Sequence, residues 1–292
     1  MGFTIKELET LSGIKSHTIR VWEQRYGFLK PERTATNIRT YSNEELKTLL
    51  TVALLNKYGY KISHIDGMPP GQRTEEALKL PMGEAKDEWA VNALIGHMID
   101  MDIAGFERLL NSHIREKGVG PTITTIVFYF LQKIGVLWQT GRINPAHEHL
   151  VSNIIRQKLV AAIEALPLPQ SEQPLFLLLL PEDEHHELGL LYVYFLLKTR
   201  GAPVMYLGAS VPLKDARYVI GLKKPSYVYL HLSSTPSRAA FKKYLHGLCS
   251  EEECRVLLSG EAVHSFPSGA PANLTALQSL GEVVRFIESC EL

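Results

Sequence analysis

The stretch that decides the fold is Leu175-Phe-Leu-Leu-Leu-Leu-Pro-Glu-Asp-Glu-His-His-Glu-Leu-Gly-Leu190, an apolar run that ends in a polar loop with two histidines. An uninterrupted apolar run of this length is typical of a strand buried on both faces of a parallel sheet. Apolar residues with a helical period follow the loop directly. Because open α/β sheets bind ligands outside the carboxyl ends of their strands, we expect loop 184–189 to carry the chemistry of this region.

The rest of the C-terminal region continues the same alternation of strand and helix. The predicted strands after the first are 204–207, 227–232, 255–258 and a last one near 283–287. The predicted helices are 190–200, 214–222 and 237–248. Strands that alternate with helices indicate a doubly wound, Rossmann-like parallel sheet with right-handed crossovers.

The pattern Glu184-x-His186-x-x-Gly189 resembles the acidic-x-His-x-x-Gly motif of cobalamin-binding domains. The resemblance implies that His186 is the lower axial ligand of the cobalt. A carboxylate on the second ring nitrogen, here Glu184, fixes the tautomer and raises the basicity of such a ligand. Gly189 lets the backbone approach a bulky ligand where a Cβ would collide. Without the resemblance, the same six residues are compatible with a solvated polar loop and a helix N-cap.

Two further family motifs are present only in part. Ser233-Ser234-Thr235 stands where the family has Ser-x-Leu, which implies that Ser233 lines the slot for the nucleotide tail. Gly260-Glu261 stands where the family has two glycines. The resemblance then implies that a carboxylate would lie beside a nucleotide tail that carries a phosphate. The stretch 207–212 resembles the loop after the family's second strand. Because of these departures, an alternative is a domain that has kept the cobalamin-binding fold but no longer binds the cofactor.

The N-terminal region has the charge and the helix pattern of a DNA-binding head. Residues 1–64 contain ten basic and six acidic residues, a formal charge of +4, whereas the whole chain is neutral. A capping box at Thr4 predicts a helix over 5–11, and a basic second helix over 15–26 follows a short turn. A short segment at 37–41 precedes a third helix, which Ser42 caps. Helix, short turn and basic helix together indicate a helix-turn-helix.

This region resembles the winged helix-turn-helix of MerR-type transcriptional regulators. The matching motifs are Thr4-Ile5 through Leu11, Thr18-Ile19-Arg20-x-Trp22-Glu23-x-Arg25-Tyr26-Gly27 and Arg39-x-Tyr41-Ser42. The resemblance implies a homodimer on a double-stranded operator with two half-sites, and Trp22 is expected in the core. The implied DNA contacts come from the second helix and the wing: Arg20, Arg25, Tyr26, Arg39 and Tyr41, with His17 and Thr18 facing the groove.

Between two linkers, 66–71 and 167–174, the apolar pattern is helical throughout. It predicts helices at about 85–99, 102–116, 121–139 and 145–166, which together make a four-helix bundle.

In this bundle Trp138 is followed ten residues later by Glu148-His149. This spacing resembles the adenosylcobalamin-dependent photoreceptor regulators of the CarH and LitR kind. The resemblance implies that the bundle covers the upper face of cobalamin, with Trp138 over the adenosyl group and Glu148 and His149 holding it. A tryptophan at the end of an amphipathic helix is otherwise a core residue. Gln139 stands where light sensors of this kind have a histidine that captures cobalt, and its amide is a poorer cobalt ligand.

The sequence therefore predicts three domains: 1–68 for DNA binding, 80–167 as a cobalamin-capping bundle and 174–292 as a cobalamin-binding α/β domain. We expect a transcriptional regulator and not an enzyme. The hypothesis is a repressor whose oligomerisation, to a dimer or tetramer, and operator binding depend on adenosylcobalamin and on light. An alternative is a regulator whose degenerate C-terminal domain serves only oligomerisation or partner binding. A corrinoid carrier subunit of an enzyme is a remote second alternative, and the DNA-binding head speaks against it.

Composition is consistent with a cytoplasmic protein that has no membrane partner. The three cysteines, Cys249, Cys254 and Cys290, have neither disulfide-framework nor zinc spacing. No apolar run approaches the roughly 18 residues of a membrane span, and no apolar segment typical of a secretion signal stands near the N-terminus.

Overall fold

The computed structural model describes residues 2–81, 83–139, 143–169, 174–233, 238–250, 254–261, 263 and 271–290, and it gives the backbone alone for 136, 138, 139 and 238–240. The chain forms two compact units, Met1–Ile154 and Ile155–Leu292. The predicted domain boundaries near 68 and 167 stay predictions. Among the described residues, no helix combines the length and the apolarity needed to cross a bilayer.

The N-terminal head has the predicted helix-turn-helix and wing. Its elements are α1 (Ile5–Ser12), α2 (Ser16–Arg25), β1 (Glu32–Arg33), β2 (Arg39–Thr40) and α3 (Asn43–Lys57). The capping boxes at Thr4 and Ser42 are both formed, as predicted. Gly13 adopts φ +73 and ends α1, because a residue in the left-handed region breaks the helix. The antiparallel pair β1–β2 forms the wing.

Helices make up the remainder of the first unit. They are α4 (Ile62–Asp66), α5 (Pro70–Leu78), α6 (Glu84–Ile99), α7 (Ile103–Lys117), α8 (Val119–Thr122), a π-helical turn (Ile123–Val127), α9 (Phe128–Gln139) and α10 (Pro145–Glu164), which continues into the second unit. The four predicted bundle helices are confirmed to within two residues. The predicted break at 66–71 is partly wrong, because Pro70 begins α5 at a position where its missing N–H costs nothing.

The head packs on these helices through α3. The Nζ of Lys57 lies 2.7 Å from Glu88 Oε2, and the Nζ of Lys47 lies 2.7 Å from Asp100 Oδ2. Residues of α3 also contact α6, and residues of α1 contact α9. The head is thus attached to the helical part through α1 and α3.

The second unit is the predicted doubly wound sheet. Its elements are β3 (Phe176–Pro181), α11 (Leu188–Thr199), β4 (Val204–Val211), α12 (Leu213–Lys223), β5 (Tyr227–Leu232), α13 (Arg238–Cys249), β6 (Arg255–Gly260), β7 (Leu274–Leu277) and α14 (Leu280–Ser289). All strands are parallel, in the order β4-β3-β5-β6-β7. Every residue of β3 is buried, as its continuous apolar sequence predicts.

Two predictions in this unit are wrong. The predicted strand near 283–287 lies in α14, because the Ser279 side chain accepts a hydrogen bond from the Glu282 N–H and caps a helix there. The fifth strand is β7 instead. The predicted loop after 207 is strand as far as Val211, with register shifts against β3 and Ser210 at φ +54.

Candidate functional sites

The order of the strands brings three predicted site segments to one edge of the sheet. β5 lies between β3 and β6, so the carboxyl ends of these strands are neighbours. Loop 182–187 follows β3, Ser233 follows β5, and Gly260 ends β6. The chain leaves β3 towards β4 on one side and returns to β5 on the other, which makes this edge the topological switch point of the sheet.

The Glu184–His186 pair has the geometry expected of a metal-ligating histidine and the carboxylate that orients it. Nδ1 of His186 lies 2.7 Å from Oε1 of Glu184, and the His186 N–H donates to the same oxygen at 2.9 Å. The Glu184 side chain is 5% exposed, whereas that of His186 is 62% exposed. The contact favours a proton on Nδ1 and a lone pair on Nε2. An accessible imidazole held by a buried carboxylate fits cobalt, so the residues present suit the cofactor.

Gly189 is explained by the protein itself. A Cβ at this position would lie 2.1 Å from Cδ2 and 2.2 Å from Nε2 of His231. The explanation predicted from the sequence, room for a bulky ligand, is therefore incomplete, because an imidazole of β5 already fills the space next to the glycine. Sequence reasoning missed His231, although a histidine inside the apolar strand Tyr227–Leu232 is an unusual residue and could have drawn attention to it.

His231 belongs to a neutral hydrogen-bonded cluster at the ends of β5 and β6. Its Nδ1 lies 2.8 Å from the Ser259 Oγ, and the Tyr229 hydroxyl lies 2.7 Å from the same oxygen. Burial lowers the pKa of His231 to about 4 and raises the pKa of Tyr229. Uncharged groups at this edge are therefore linked by hydrogen bonds through the Ser259 hydroxyl.

Glu187 fastens the end of the histidine loop. Its Oε2 accepts a hydrogen bond of 2.8 Å from the Tyr206 hydroxyl of β4. Its Oε1 lies 2.5 Å from Nε of Arg156 on α10. Burial, followed by the hydrogen bond to Glu187, raises the pKa of Tyr206. Anchored on both sides, Glu187 limits the movement of the loop that presents His186.

The two segments predicted to meet the nucleotide tail lie on the same edge. Ser233 is exposed directly after β5, while Ser234 and Thr235 lie outside the described residues. Gly260 has φ +91, and a Cβ there would lie 2.3 Å from the carbonyl oxygen of Leu232. The neighbouring strand therefore requires this glycine whatever the ligand, and the predicted binding roles of Ser233 and Gly260 stay predictions.

The predicted upper-face residues lie near the junction of α9 and α10. Trp138 is in the last turn of α9, and its side chain and that of Gln139 are outside the described part of the chain. Glu148 accepts a hydrogen bond of 3.2 Å from the Ser152 hydroxyl and lies 3.4 Å from Nδ1 of His149. The His149 side chain is 72% exposed. The roles of Trp138, Glu148 and His149 stay predictions.

The recognition helix α2 presents most of the predicted DNA contacts on its outer side. His17, Arg20 and Arg25 are exposed, while Thr18 and Tyr26 are half-buried. Trp22 is 7% exposed and lies in the core of the head, as expected. A single helix with a buried apolar side and a basic outer side is suited to a DNA groove.

Of the two predicted DNA contacts in the wing, Tyr41 is wrong because it is buried, and Arg39 is paired with a residue of α2. Tyr41 has no exposed surface, and its hydroxyl donates to Glu23 at 3.1 Å, so its side chain cannot touch DNA in this conformation. Burial raises the pKa of Tyr41. Arg39 Nε donates to both carboxylate oxygens of Glu23, at 3.0 and 2.8 Å. The wing is thus tied to α2 through Glu23, and the DNA contact of Arg39 stays a prediction.

Comparison with known proteins finds two family matches along the chain. Residues 3–70 match the MerR HTH family of regulatory proteins, and residues 90–162 match a B12 binding domain. The chain is 30% identical, over an alignment of 302 residues, to the HTH-type transcriptional repressor CarA of Myxococcus xanthus. The alignment covers 100% of this chain and 94% of that protein. It is 29% identical over 237 residues to the HTH-type transcriptional repressor CarH of the same organism, with 79% and 78% covered.

Among solved structures, the Methanosarcina barkeri monomethylamine corrinoid protein is similar with a TM-score of 0.53 and 14% identity. The match covers 68% of this chain and 96% of that one. At this identity the likeness shows a shared fold.

Proposed function

Since this protein belongs to the family of the HTH-type transcriptional repressors CarA and CarH, we propose that it is a repressor whose operator binding depends on adenosylcobalamin. Its two matched domains make it a DNA-binding transcription regulator with a cobalamin-binding domain, and not an enzyme. The proposal adds the adenosyl form of the cofactor, a response to light, and a homo-oligomer that forms when the cofactor is held.

The observation that carries the proposal is the exposed His186 imidazole on the buried Glu184 carboxylate. His186 would ligate the cobalt through Nε2, and Glu184 would keep its ring in the tautomer that ligates. When bound, adenosylcobalamin would supply the cobalt and a light-sensitive bond to the adenosyl group. Glu187 contributes by restricting the loop, because its contacts to Tyr206 and Arg156 anchor the residue after His186.

Trp138, Glu148 and His149 are proposed to cover and hold the adenosyl group. Gln139 has no cobalt-capturing role in this proposal, because an amide is a poor cobalt ligand compared with an imidazole. The light-exposed state would then differ from that of regulators with a histidine at this position.

Cofactor binding would act on DNA binding through the number of heads in one assembly. A second head on the same assembly raises the apparent affinity for a two-half-site operator by about 10²- to 10⁴-fold. A ligand shifts such an assembly only by the difference in its affinity for the two states. Residues that contact the cofactor in the assembled state but not in the unassembled state would therefore control repression.

The experiment is to titrate the full chain with adenosylcobalamin in the dark and record absorbance spectra, size-exclusion profiles and gel shifts before and after green light. Wild type should shift the spectrum towards a histidine-ligated form, and His186→Ala should abolish that shift. His185→Ala is the matched control, because the neighbouring histidine is also exposed and should leave the spectrum unchanged.

A spectrum identical in wild type and His186→Ala would overturn the cofactor part of the proposal. DNA affinity that is the same with and without every corrinoid tested would favour the alternative, in which the C-terminal domain serves only oligomerisation or partner binding. Equal elution and equal gel shifts in dark and light would remove the light response alone.

A further inference from the structure

Two residues at the centre of the outer face of α2, Val21 and Gln24, were not among the DNA contacts predicted from the sequence. Ile19 and Trp22, 0% and 7% exposed, mark the buried side of the helix. At 100° per residue, the direction opposite to them passes through positions 17, 21 and 24. Val21 is 37% exposed and Gln24 is exposed, which agrees with this projection. The two residues therefore occupy the part of α2 that enters a groove most deeply.

The surroundings of this pair favour DNA over a protein partner. Arg20 and Arg25 are exposed on α2 beside the pair. Glu23, the one carboxylate in the sequence of α2, is only 15% exposed and is paired with Arg39. The outer face of α2 thus presents positive charge and neutral groups, which is the arrangement that a phosphate-lined groove requires.

The chemistry of the pair matches an A·T base pair. In the major groove the C5-methyl of thymine is the apolar group with which an apolar side chain makes contact. The glutamine amide can donate to and accept from N7 and the 6-amino group of adenine. Residues three apart on a helix have Cβ atoms roughly 5–6 Å apart, and base pairs are stacked about 3.4 Å apart. The two side chains can therefore reach one base pair or two adjacent ones.

We propose that Val21 and Gln24 are specificity-determining residues that read a thymine methyl and an adenine at one step of each operator half-site. This inference rests on the DNA binding of the family. Arg20 and Arg25 hold the helix on the phosphates without selecting a sequence. Val21 and Gln24 supply the selection, because their groups match base edges and not the backbone.

The test begins by selecting duplexes from a random pool with the full chain and then replaces bases one at a time in a selected operator. Thymine replaced by uracil removes only the methyl group, and adenine replaced by 7-deazaadenine removes only the N7 acceptor. The wild-type protein should bind about three- to fivefold more weakly to the operator with uracil at one position. It should bind about tenfold more weakly to the operator with 7-deazaadenine at one position. These two positions should lie in the same base pair or in adjacent base pairs.

Val21→Ala should lose the response to uracil and keep that to deazaadenine, and Gln24→Ala should do the reverse. Leu78→Ala is the control, because Leu78 is 58% exposed on α5 and should keep both responses. A uracil scan without effect on wild type, or the same sensitivity in Val21→Ala as in wild type, would overturn the inference. If the full chain selects no duplex at all, DNA binding itself fails, which is a separate result from a flat scan.

Discussion

The outer face of α2 and the carboxyl edge of the sheet are both candidate binding surfaces, yet they are built in opposite ways. The α2 face consists of exposed side chains on one helix, among them Arg20 and Arg25. The sheet edge depends on contacts between strands: His231 packs on Gly189, and Gly260 packs on the Leu232 backbone. Substitutions on α2 should therefore change binding and leave folding intact, whereas substitutions at the sheet edge should change both.

The largest effect is expected for Gly260→Ala. Backbone strain at φ +91 and a Cβ 2.3 Å from the Leu232 carbonyl oxygen should together cost about 2–6 kcal/mol in the free energy of unfolding. Gly201→Ala is the control, because Gly201 has φ +81 but no atom within 4 Å of its Cβ position. Urea denaturation should show a clearly smaller loss of unfolding free energy for Gly201→Ala than for Gly260→Ala. Equal losses in the two variants would show that the contact with the Leu232 carbonyl oxygen does not contribute.

The next effect is a dependence of stability on pH that arises from His231. Its pKa is about 4 in the folded chain, against an ordinary value of 6.5. As pH falls below 6.5 the unfolded chain takes up the proton first, so stability is lost down to about pH 4, by at most about 3 kcal/mol. His231→Asn should flatten the profile of unfolding free energy against pH in this window.

His246→Asn is the control for this measurement, because His246 is exposed on α13. It should retain the slope of wild type. If the unfolding free energy of His231→Asn falls as steeply as that of wild type between pH 6.5 and 4, burial of this imidazole does not cause the loss of stability in acid.

The coupling between Gly189 and His231 is testable by a double-mutant cycle. Gly189→Ala should cost about 1–3 kcal/mol, because the new methyl group overlaps the imidazole. In a chain that already carries His231→Ala, the same substitution should cost little, since the ring is gone. Additive losses in the cycle would mean that another neighbour requires the glycine.

A substitution that tests the ligand site at the sheet edge directly is Glu184→Gln. The amide can still accept a hydrogen bond from His186 but does not raise the basicity of the ring, so corrinoid affinity should fall about 10- to 100-fold. Glu182→Gln, an exposed residue of the same loop, should bind as wild type does. Absorbance titration gives both affinities, and equal values would contradict the role of the carboxylate.

The smallest effects are expected on α2. Arg20→Ala and Arg25→Ala should each reduce the slope of log affinity against log salt by about one unit if each side chain neutralises one phosphate. Thermal unfolding of both variants should match wild type, because both residues are exposed. Lys214→Ala on α12 should leave the slope unchanged. A loss of folding stability in an α2 variant would break the contrast between the two surfaces.

Much of the fold was predictable because it depends on local patterns. The capping residues Thr4 and Ser42 began helices where predicted, and the apolar run at 175–180 became a fully buried strand. The last strand was mispredicted for a local reason as well: the apolar residues of 283–287 suit a strand, but the cap at Ser279 and their helical period made α14. Pattern reasoning thus failed where two periodicities competed.

The site was predictable only as far as it lies on one contiguous segment. The sequence by itself determined that His186 has a carboxylate two residues before it, and that α2 carries basic residues at helical spacing. The tertiary structure alone decided that His231 lies against Gly189, that Ser259 satisfies it, and that Tyr41 is buried beneath Glu23. These contacts join residues 18 to 42 positions apart, and their geometry depends on strand order and packing, which no local pattern encodes.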